Sequence, residues 1–329
     1  LKAPNGSSSN TPMRYLRHSD FHYPDSNQRL FENSAPLHVE VGFGGGHFWA
    51  LQHQLEGAVN YLGVEISGVS VQKALAKYRA AGVASGIVTR VAAQFLIRNV
   101  LAPDSVDRVY VNFPDPWPKG KHEENRFVRV ETFELLSKRL KLGGELWLTT
   151  DHREYYQFAL DNARSTGLYD VIETAPPAAA LQTKYAQKWQ AMGIGINHAR
   201  FKKIGSSQAV IKPLGVTVSV TGDPMPHAIL TGDIPTQPLE KTVLRGADYT
   251  VILLEGYARP DKLVVLARIE EPDFVQETLV SVSRRGEGRS IAGLESFGSP
   301  LVTPGVKAAV AGLTDWLEAG GMRVVQRNY

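Results

Sequence analysis

The stretch Leu37-His38-Val39-Glu40-Val41-Gly42-Phe43-Gly44-Gly45-Gly46 decides the fold class, because a short apolar run ends there in a cluster of glycines. The apolar run is typical of a β-strand, and the residues after the glycines, His47–Glu56, are typical of a helix. Glycine allows positive φ angles and lets another molecule approach the backbone closely. The pattern formed by Gly42, Gly44 and Gly46 therefore predicts a ligand-binding turn; a tight turn without a ligand is the alternative.

Glycine turns of this kind occur in the sites of nicotinamide, flavin and S-adenosylmethionine (SAM) cofactors. No Lys-Ser/Thr pair follows the glycines, which argues against a phosphate-cradling P-loop. Glu65 ends the second predicted strand, 23 residues after Gly42, where a carboxylate can accept hydrogen bonds from ribose hydroxyls. A helix is predicted to start near Ser67, so a role of Glu65 at that helix N-terminus is the alternative.

The alternation of apolar runs and helical periodicity continues to about residue 165. The later predicted strands are Tyr61–Ile66, Ile87–Ala92, Arg108–Phe113 and Glu145–Thr150, and the later predicted helices are Val69–Ala81, Val128–Leu140 and Glu154–Ser165. This pattern predicts an α/β domain with a doubly wound, mostly parallel sheet. Ligands of such sheets bind beyond the carboxyl ends of the strands, which is where the glycines and Glu65 lie.

Length and composition limit the class of protein. The 329 residues are typical of two domains, and 43% of them are apolar, as in folded globular proteins. There are no cysteines, which excludes disulfides, thiolate metal sites and cysteine nucleophiles. No apolar run approaches the ~20 residues that span a bilayer, and residues 1–10 lack a secretory signal, so we expect a cytoplasmic protein without a membrane partner. The net charge of +3 is compatible with a phosphate-bearing partner.

Near Gly205-Ser206-Ser207 the sequence pattern changes from alternating strands and helices to predicted strands with a single helix. Residues 36–204 form the predicted α/β domain, and residues 205–329 are predicted to form an auxiliary α+β domain with antiparallel strands. The elements predicted in this second domain are strands Val216–Val220, Tyr249–Leu254, Leu263–Ile269, Leu279–Val282 and Met322–Gln326 and helix Val306–Glu318. Residues 1–35 have few apolar anchors and are predicted to form a flexible arm, in which His18 and His22 are solvated rather than metal ligands.

The fourth predicted strand runs into Asn112-Phe113-Pro114-Asp115-Pro116-Trp117-Pro118-Lys119, which contains three prolines. Proline fixes φ and removes a backbone donor, so this segment predicts a rigid loop at the carboxyl edge of the sheet. The loop holds Asn112 and Asp115 on a fixed frame near the glycine turn and offers Trp117 for stacking or packing. A stiff structural turn is the alternative, but it does not account for this combination of polar groups at this edge.

These motifs resemble those of the tRNA (guanine-N7-)-methyltransferase family over residues 37–203. The matching segments are, in chain order, the glycine turn, Gly63-Val64-Glu65, the proline loop with His122, Thr149-Thr150-Asp151, and Thr183-Lys184-Tyr185 with Gln187-Lys188-Trp189 and Gly193. The proline loop is the most specific of them. The resemblance implies a Rossmann-like, SAM-dependent methyltransferase domain that acts on tRNA.

The resemblance implies two sets of site residues and no metal. The residues expected to contact SAM are Glu40, Gly42, Gly44, Gly46, Glu65 and Asp115, with Gln94 near the place where the family has a carboxylate on the adenine side. The residues expected at the guanosine or its phosphate are Lys119, Asp151, Thr183, Lys184 and Tyr185.

The sequence departs from the family pattern where RNA contacts are expected. Residues 119–126 read Lys-Gly-Lys-His-Glu-Glu-Asn-Arg, with acids where the family commonly has bases, and Ala186 replaces the usual Glu of the substrate motif. Lys119 and Arg126 are nevertheless predicted to position phosphates. The auxiliary domain is not part of the common family pattern, and its sequence indicates no family of its own. It is predicted to help hold tRNA, with a protein-interaction or stabilising module as the alternative. The residues proposed to bind phosphate are Arg284, Arg285 and Arg289, for which an exposed hairpin tip is the alternative.

The chemistry implied by the resemblance is methyl transfer from SAM to N7 of a guanosine in tRNA, in the variable loop. Guanine N7 carries a lone pair and no proton at neutral pH, so the protein has to supply alignment and electrostatics. Asp115 is the expected catalytic residue, because a carboxylate there or at Asp151 stabilises positive charge developing on the purine. The alternatives are a SAM- or RNA-binding protein without catalysis, a methyltransferase for another RNA, and a nicotinamide dehydrogenase. A monomer and a homodimer are both compatible with the sequence.

Overall fold

The computed structural model describes residues 13–84, 86–117, 123–216, 225–286 and 288–329. The chain divides into two compact units, residues 1–212 and 213–329. The first unit extends beyond the predicted domain end at residue 204, because the following segment is attached to Ser137. Ser206 Oγ donates to the Ser137 carbonyl at 3.2 Å, and the Ser207 N–H donates to Ser137 Oγ at 3.0 Å. The predicted boundary is therefore too early.

The first unit is built on a sheet with the strand order β1-β4-β3-β2-β5-β6-β8-β7. Its strands are β1 (Arg14–Leu16), β2 (Leu37–Val41), β3 (Asn60–Val64), β4 (Gly86–Thr89), β5 (Val106–Asn112), β6 (Leu140–Thr150), β7 (Tyr169–Glu173) and β8 (Asn197–Lys203). Strands that are neighbours in the sheet between β1 and β6 run parallel to each other. Strand β8 is antiparallel to both β6 and β7. The predicted doubly wound, mostly parallel sheet is confirmed, and its strand order reverses at β2 and β5.

Helices lie between the strands of this unit along the chain. They are α1 (Asn27–Phe31), α2 (His47–Gln52), α3 (Gly68–Ala80), α4 (Ala93–Phe95), α5 (Val130–Ser137), α6 (Arg153–Thr166), α7 (Ala178–Leu181) and α8 (Lys184–Ala191). A π-helical turn, Leu96–Val100, continues α4, and short 3-10 turns lie at His18–Asp20 and Glu123–Asn125. The side chains of Ser67, His152 and Thr183 cap α3, α6 and α8 by accepting a backbone hydrogen bond.

The central strands of this sheet are buried on both faces, which is why their sequences read as nearly continuous apolar runs. Every residue of β3 and of β4 is buried. Aromatic rings fill the space between the sheet and α2: Trp49 stacks on Tyr61 with ring centroids 4.3 Å apart, and Phe48 packs on Tyr110 at 4.9 Å. This packing holds the start of α2, and with it the glycine turn, against the sheet.

Residues 13–35 do not form the predicted flexible arm. β1 pairs in parallel with β4 at the edge of the sheet. Phe21 is 1% exposed, and Leu30 and Phe31 of α1 are also buried. These apolar anchors are few and irregularly spaced, so they give no periodic signal in the sequence. Residues 1–12 of the predicted arm lie outside the described part of the chain.

The second unit is an antiparallel sheet with the strand order β10-β11-β12-β13-β14-β9-β15. Its elements are β9 (His227–Thr231), β10 (Thr242–Arg245), β11 (Thr250–Arg259), β12 (Lys262–Glu271), β13 (Phe274–Arg284), β14 (Arg289–Leu294), α9 (Pro304–Ala319) and β15 (Arg323–Asn328). The predicted α+β class of this unit is confirmed. Of the predicted strand Val216–Val220, Val216 lies outside any strand and residues 217–220 lie outside the described part of the chain.

The core of the second unit lies between its sheet and α9. Alternate residues of β12 are buried, as the period of two in a strand requires. They meet the apolar stripe of α9, which is buried at its 3.6-residue spacing; the two sets are Leu263, Val265, Ala267 and Ile269 from β12 and Val306, Val310, Leu313 and Leu317 from α9. One helix thus covers one face of the sheet.

Two absences hold for the described residues. None of the helices in the described ranges is long and apolar enough to cross a membrane. Within the same ranges, no group of three or more His, Asp or Glu side chains is placed to hold a metal ion.

Candidate active site

The glycine turn connects β2 to α2 at the switch point of the sheet. Gly42, Gly44 and Gly46 have φ angles of 68°, 52° and 73°. A Cβ atom built at Gly42 or Gly44 would meet no atom within 4 Å, whereas one at Gly46 would lie 2.9 Å from Ala74 and from the Tyr78 ring. The first two glycines therefore border open space in which a ligand can approach the backbone. The third allows α2 to pack closely on α3.

The Glu65 carboxylate follows β3 and joins this strand end to the glycine turn. Its Oε2 accepts a hydrogen bond from the Gly44 N–H at 2.9 Å. Its Oε1 accepts from the N–H groups of Ile66 and Ser67 at 2.8 and 3.0 Å. Glu65 thus lies beside the turn, as ribose recognition requires, and also binds backbone donors next to the start of α3. Because a carboxylate has about four acceptor positions, these three bonds leave room for a ribose hydroxyl.

Glu40 lies two residues before the glycine turn and is 2% exposed. Its Oε2 accepts a hydrogen bond from the Tyr61 hydroxyl at 2.7 Å, and that hydroxyl lies 3.0 Å from the hydroxyl of Tyr78. Burial raises the pKa of Glu40 to about 8; the hydrogen bond from Tyr61 acts against this shift, and the charge of Glu65 adds to it. A positive group bound nearby would favour the ionised form of this carboxylate.

Gln94 is the second residue of α4, which follows β4. Since β4 lies beside β3, Gln94 is on the same side of the switch point as Glu65. It is half-buried and follows the carboxyl end of a parallel strand. The position of Gln94 is compatible with the adenine side of a bound nucleoside. A contact between Gln94 and SAM stays a prediction.

The proline loop leaves β5, the neighbour of β2, at the same edge of the sheet. The Phe113 N–H donates to the Thr149 carbonyl of β6 at 2.7 Å. Phe113 and Trp117 have φ angles of 50° and 38°, which non-glycine residues adopt only at a cost that the surrounding structure must offset. Asp115 is exposed on this loop. Lys119, predicted to contact phosphate, lies outside the described residues.

Asp151 follows β6, which lies beside β5, so Asp115 and Asp151 come from the ends of neighbouring parallel strands. Asp151 opens into a pocket of about 550 Å³ between the start of α6 and the segment after α8. The other residues that line this pocket are Arg153, Tyr156, Gln157, Glu173, Ile194, Gly195 and Asn197. Asp151 therefore borders this pocket directly after the end of β6.

Thr183 begins the predicted substrate motif and is 6% exposed. Its hydroxyl donates to the Ala180 carbonyl at 2.7 Å and accepts from the Ala186 N–H at 3.3 Å, which caps α8. The hydroxyl thus stabilises the helix, and its contact with a guanosine stays a prediction. Ala186 is fully buried in this first turn, so the place of the family's usual Glu is taken here by a packed methyl group.

Lys184 and Tyr185 lie on the exposed side of α8, and Tyr185 is 61% exposed. The pKa of His47, the first residue of α2, is lowered by burial and then by the charges of Lys77 and Lys184. Lys184 is therefore within electrostatic reach of the helix that follows the glycine turn.

Arg126 has a role that the sequence did not indicate. The prediction that it contacts phosphates is wrong, because its side chain is fully buried. Its Nε donates to the carbonyl oxygens of Pro116 and Trp117, both at 2.9 Å. Its Nη2 donates to Glu154 Oε1, also at 2.9 Å. Two of these acceptors are backbone atoms and the third lies 28 residues away in the sequence, so no local pattern reveals the interaction.

Sequence comparisons identify the family. Residues 34–199 match the family model described as "Putative methyltransferase". The tRNA (guanine-N(7)-)-methyltransferase of Deinococcus radiodurans is 43% identical over 323 residues, which cover 95% of this chain and 99% of that protein. The chain belongs to this family. The protein of the same name from Thermus thermophilus is 42% identical over 305 residues, covering 92% of this chain and 96% of that one.

Membership in the tRNA (guanine-N7-)-methyltransferase family confirms the resemblance that the motifs indicated. Because the D. radiodurans alignment covers 95% of this chain, it includes most of the second unit, which that relative therefore shares. Among solved structures, the chain is similar to the 16S rRNA methyltransferase KamB, with 13% sequence identity and a TM-score of 0.41 over 54% of this chain and 91% of that one.

Proposed function

We propose that this member of the tRNA (guanine-N7-)-methyltransferase family transfers a methyl group from SAM to N7 of a guanosine in tRNA. The observation that carries the proposal is the 43% identity, over nearly the whole of both chains, to a relative of that name. The geometry supports it, because the glycine turn and the Asp115 loop follow β2 and β5, the two strands at the switch point, and Asp151 follows the neighbouring β6. Methylation in the variable loop, expected from the resemblance, stays a prediction.

The residues around the glycine turn fit SAM. Gly42 and Gly44 leave open space at the strand end. Glu65, which the Gly44 N–H already holds in place, can accept the ribose hydroxyls. Glu40 is a buried carboxylate that a cationic ligand would favour in its ionised form. When bound, SAM supplies the methyl group on a positively charged sulfur.

The guanosine is proposed to lie between the ends of β5 and β6. Guanine N7 has a free lone pair and needs no general base, so the protein aligns the purine and stabilises charge. Asp115, on its rigid loop, offsets the positive charge that the purine gains as the N7–methyl bond forms and the sulfur–methyl bond breaks. A carboxylate at Asp115 or Asp151 can also accept hydrogen bonds from the guanine N1–H and amino group, which adenine does not offer in the same pattern.

The proposed partner is tRNA, contacted by the exposed side of α8. Lys184 and Lys188 are both exposed on this helix, and the Lys188 ammonium lies 4.5 Å from the Trp189 ring centroid. Such basic and aromatic side chains suit phosphates and unstacked bases. We also propose a cytoplasmic location, because the substrate is a tRNA.

The test is incubation of the protein with methyl-labelled SAM and unmodified tRNA, followed by nucleoside analysis. We expect label in 7-methylguanosine. SAM binding without transfer to any tRNA would favour the non-catalytic alternative. Binding of a nicotinamide cofactor in place of SAM would overturn the proposal.

A further inference from the structure

The Arg126 guanidinium lies between two strand ends of the active-site edge. On one side it donates to the carbonyls of Pro116 and Trp117, in the loop that carries Asp115. On the other side it donates to Glu154, the second residue of α6, which begins two residues after Asp151. One buried side chain thus joins the loop after β5 to the helix after β6.

The surroundings of Arg126 hold the guanidinium in one orientation. Its central carbon lies 4.8 Å from the ring centroid of Phe158 and 5.8 Å from that of Tyr155, both on α6. Its Nη1 lies 3.7 Å from Glu123 Oε1. Removing a cation from water is costly, and here carboxylates, carbonyls and aromatic faces offset the cost. Such a site favours a planar, forked donor over a point charge.

The loop that Arg126 binds needs this support. Phe113 and Trp117 both have left-handed backbone angles, which cost of order 1 kcal/mol or more each in non-glycine residues. The Asp115 charge reaches the first turn of α6: burial above all, and Asp115 to a smaller extent, raise the pKa of Tyr155. The loop conformation and the distance of Asp115 from α6 therefore depend on what lies between them, and Arg126 lies there.

We propose that Arg126 is a positioning residue for methyl transfer. Through its bonds to the proline loop and to Glu154, it sets the separation of Asp115 and Asp151 around the purine. This inference rests on the proposed function, and it assigns Arg126 no contact with SAM or RNA. Misplacement of a reacting group by about 1 Å can cost about a hundredfold in rate, so the effect falls on the chemical step.

The test compares Arg126→Lys with a matched control, Arg139→Lys. Arg139 is also buried in the first unit, and it donates to the carbonyls of Ile97 and Arg98, both at 2.7 Å. Lysine keeps the charge in each case but cannot reproduce the forked hydrogen bonds. Both variants are measured with saturating SAM and tRNA, below their melting temperatures.

We expect Arg126→Lys to lower kcat about 10- to 100-fold while the SAM dissociation constant and the KM for tRNA change less than threefold. Arg139→Lys should keep kcat within twofold of the wild type even where it lowers thermal stability equally. A folded Arg126→Lys protein with wild-type kcat, or one that loses no more than the Arg139 variant, would overturn the proposal.

If Arg126→Lys does not fold, the variant Glu154→Ala tests the positioning role of Arg126 instead. The Glu154 side chain is 38% exposed, so Glu154→Ala removes one end of the bridge without leaving a large cavity in the core. We expect it to lower kcat at least fivefold with unchanged SAM affinity; an unchanged kcat overturns the proposal. The wild-type protein is assayed in parallel, and its failure to methylate tRNA would count against the proposed function rather than against the role of Arg126.

Discussion

Valine at Gly44 and valine at Gly46 should damage the protein in different ways. Both glycines have left-handed φ angles, where an L side chain costs about 1–2 kcal/mol. At Gly44 an added Cβ would meet nothing within 4 Å. At Gly46 it would lie 2.9 Å from Ala74 Cβ and from the Tyr78 ring, and both of these neighbours are completely buried. The first substitution therefore fills open space, and the second overfills a core.

These contacts determine how much unfolding free energy each substitution should cost. Gly44→Val should lower the free energy of unfolding by about 1–2 kcal/mol, the backbone cost alone. Gly46→Val adds overpacking of about 1–3 kcal/mol, for a total of about 2–5 kcal/mol. The methyl groups of a valine at position 44 enter the space in front of the turn. We expect the SAM dissociation constant to rise at least ~100-fold, which is about 2.8 kcal/mol of binding free energy.

The assays are guanidinium unfolding followed by tryptophan fluorescence and calorimetric titration with SAM. Four of the five tryptophans lie before residue 213, so fluorescence reports mainly on the first unit. Gly44→Ala, with the same φ angle and a single methyl group, is the control for backbone strain. Unchanged SAM affinity in Gly44→Val would show that the turn is not the cofactor site. Equal stability of the Gly44 and Gly46 valine variants would refute the packing argument.

Three further predictions concern two residues of the candidate site and the arginines of the second unit. Asp115→Ala should abolish methyl transfer and leave the melting temperature nearly unchanged, because Asp115 is exposed; near-wild-type turnover of the folded variant would contradict its catalytic role. Glu40 has a pKa of about 8 in the folded protein and a lower one when unfolded, so the folded state binds the extra proton and stability falls as pH rises towards 8. Between pH 6 and pH 8 the wild type should therefore lose roughly 2 kcal/mol of unfolding free energy that the Glu40→Gln variant keeps. An equal change in the unfolding free energy of both proteins over this pH range would count against the prediction. The double variant Arg285→Glu, Arg289→Glu should raise the KM for tRNA more than that for SAM, and equal KM values in variant and wild type would exclude these arginines from RNA binding.

The sequence predicted the central part of the first unit well because buried parallel strands have a simple signal. β2, β3, β4 and β5 lie within a few residues of their predicted positions, since burial on both faces selects continuous apolar runs. β7 and β8 were not predicted. β8 reads Asn-His-Ala-Arg-Phe-Lys-Lys, in which lysines and an arginine conceal the buried Ala199 and Phe201.

The candidate site was predictable only where each residue stands next to a strand end. Glu40, Glu65, Asp115 and Asp151 all follow this rule, so topology alone brings them to one edge of the sheet. The bridge made by Arg126 does not follow it. Its hydrogen bonds depend on the three-dimensional path of the proline loop, and an arginine among charged neighbours reads in the sequence as a surface residue.

The acidic residues after the proline loop change where RNA contacts are to be sought. Glu123 lies 3.7 Å from the buried guanidinium of Arg126, so its charge faces an internal cation at a position where the family commonly has a base. On α8, by contrast, Lys184 and Lys188 are exposed and the helix contains no acidic residue. Each neutralised phosphate adds about 0.7–0.9 to the slope of log affinity against log salt, so these two lysines account for a slope of about −1.4 to −1.8. A steeper slope measured for the whole protein therefore requires phosphate contacts outside α8, and the arginines at the turn that joins β13 to β14 are the first place to look for them.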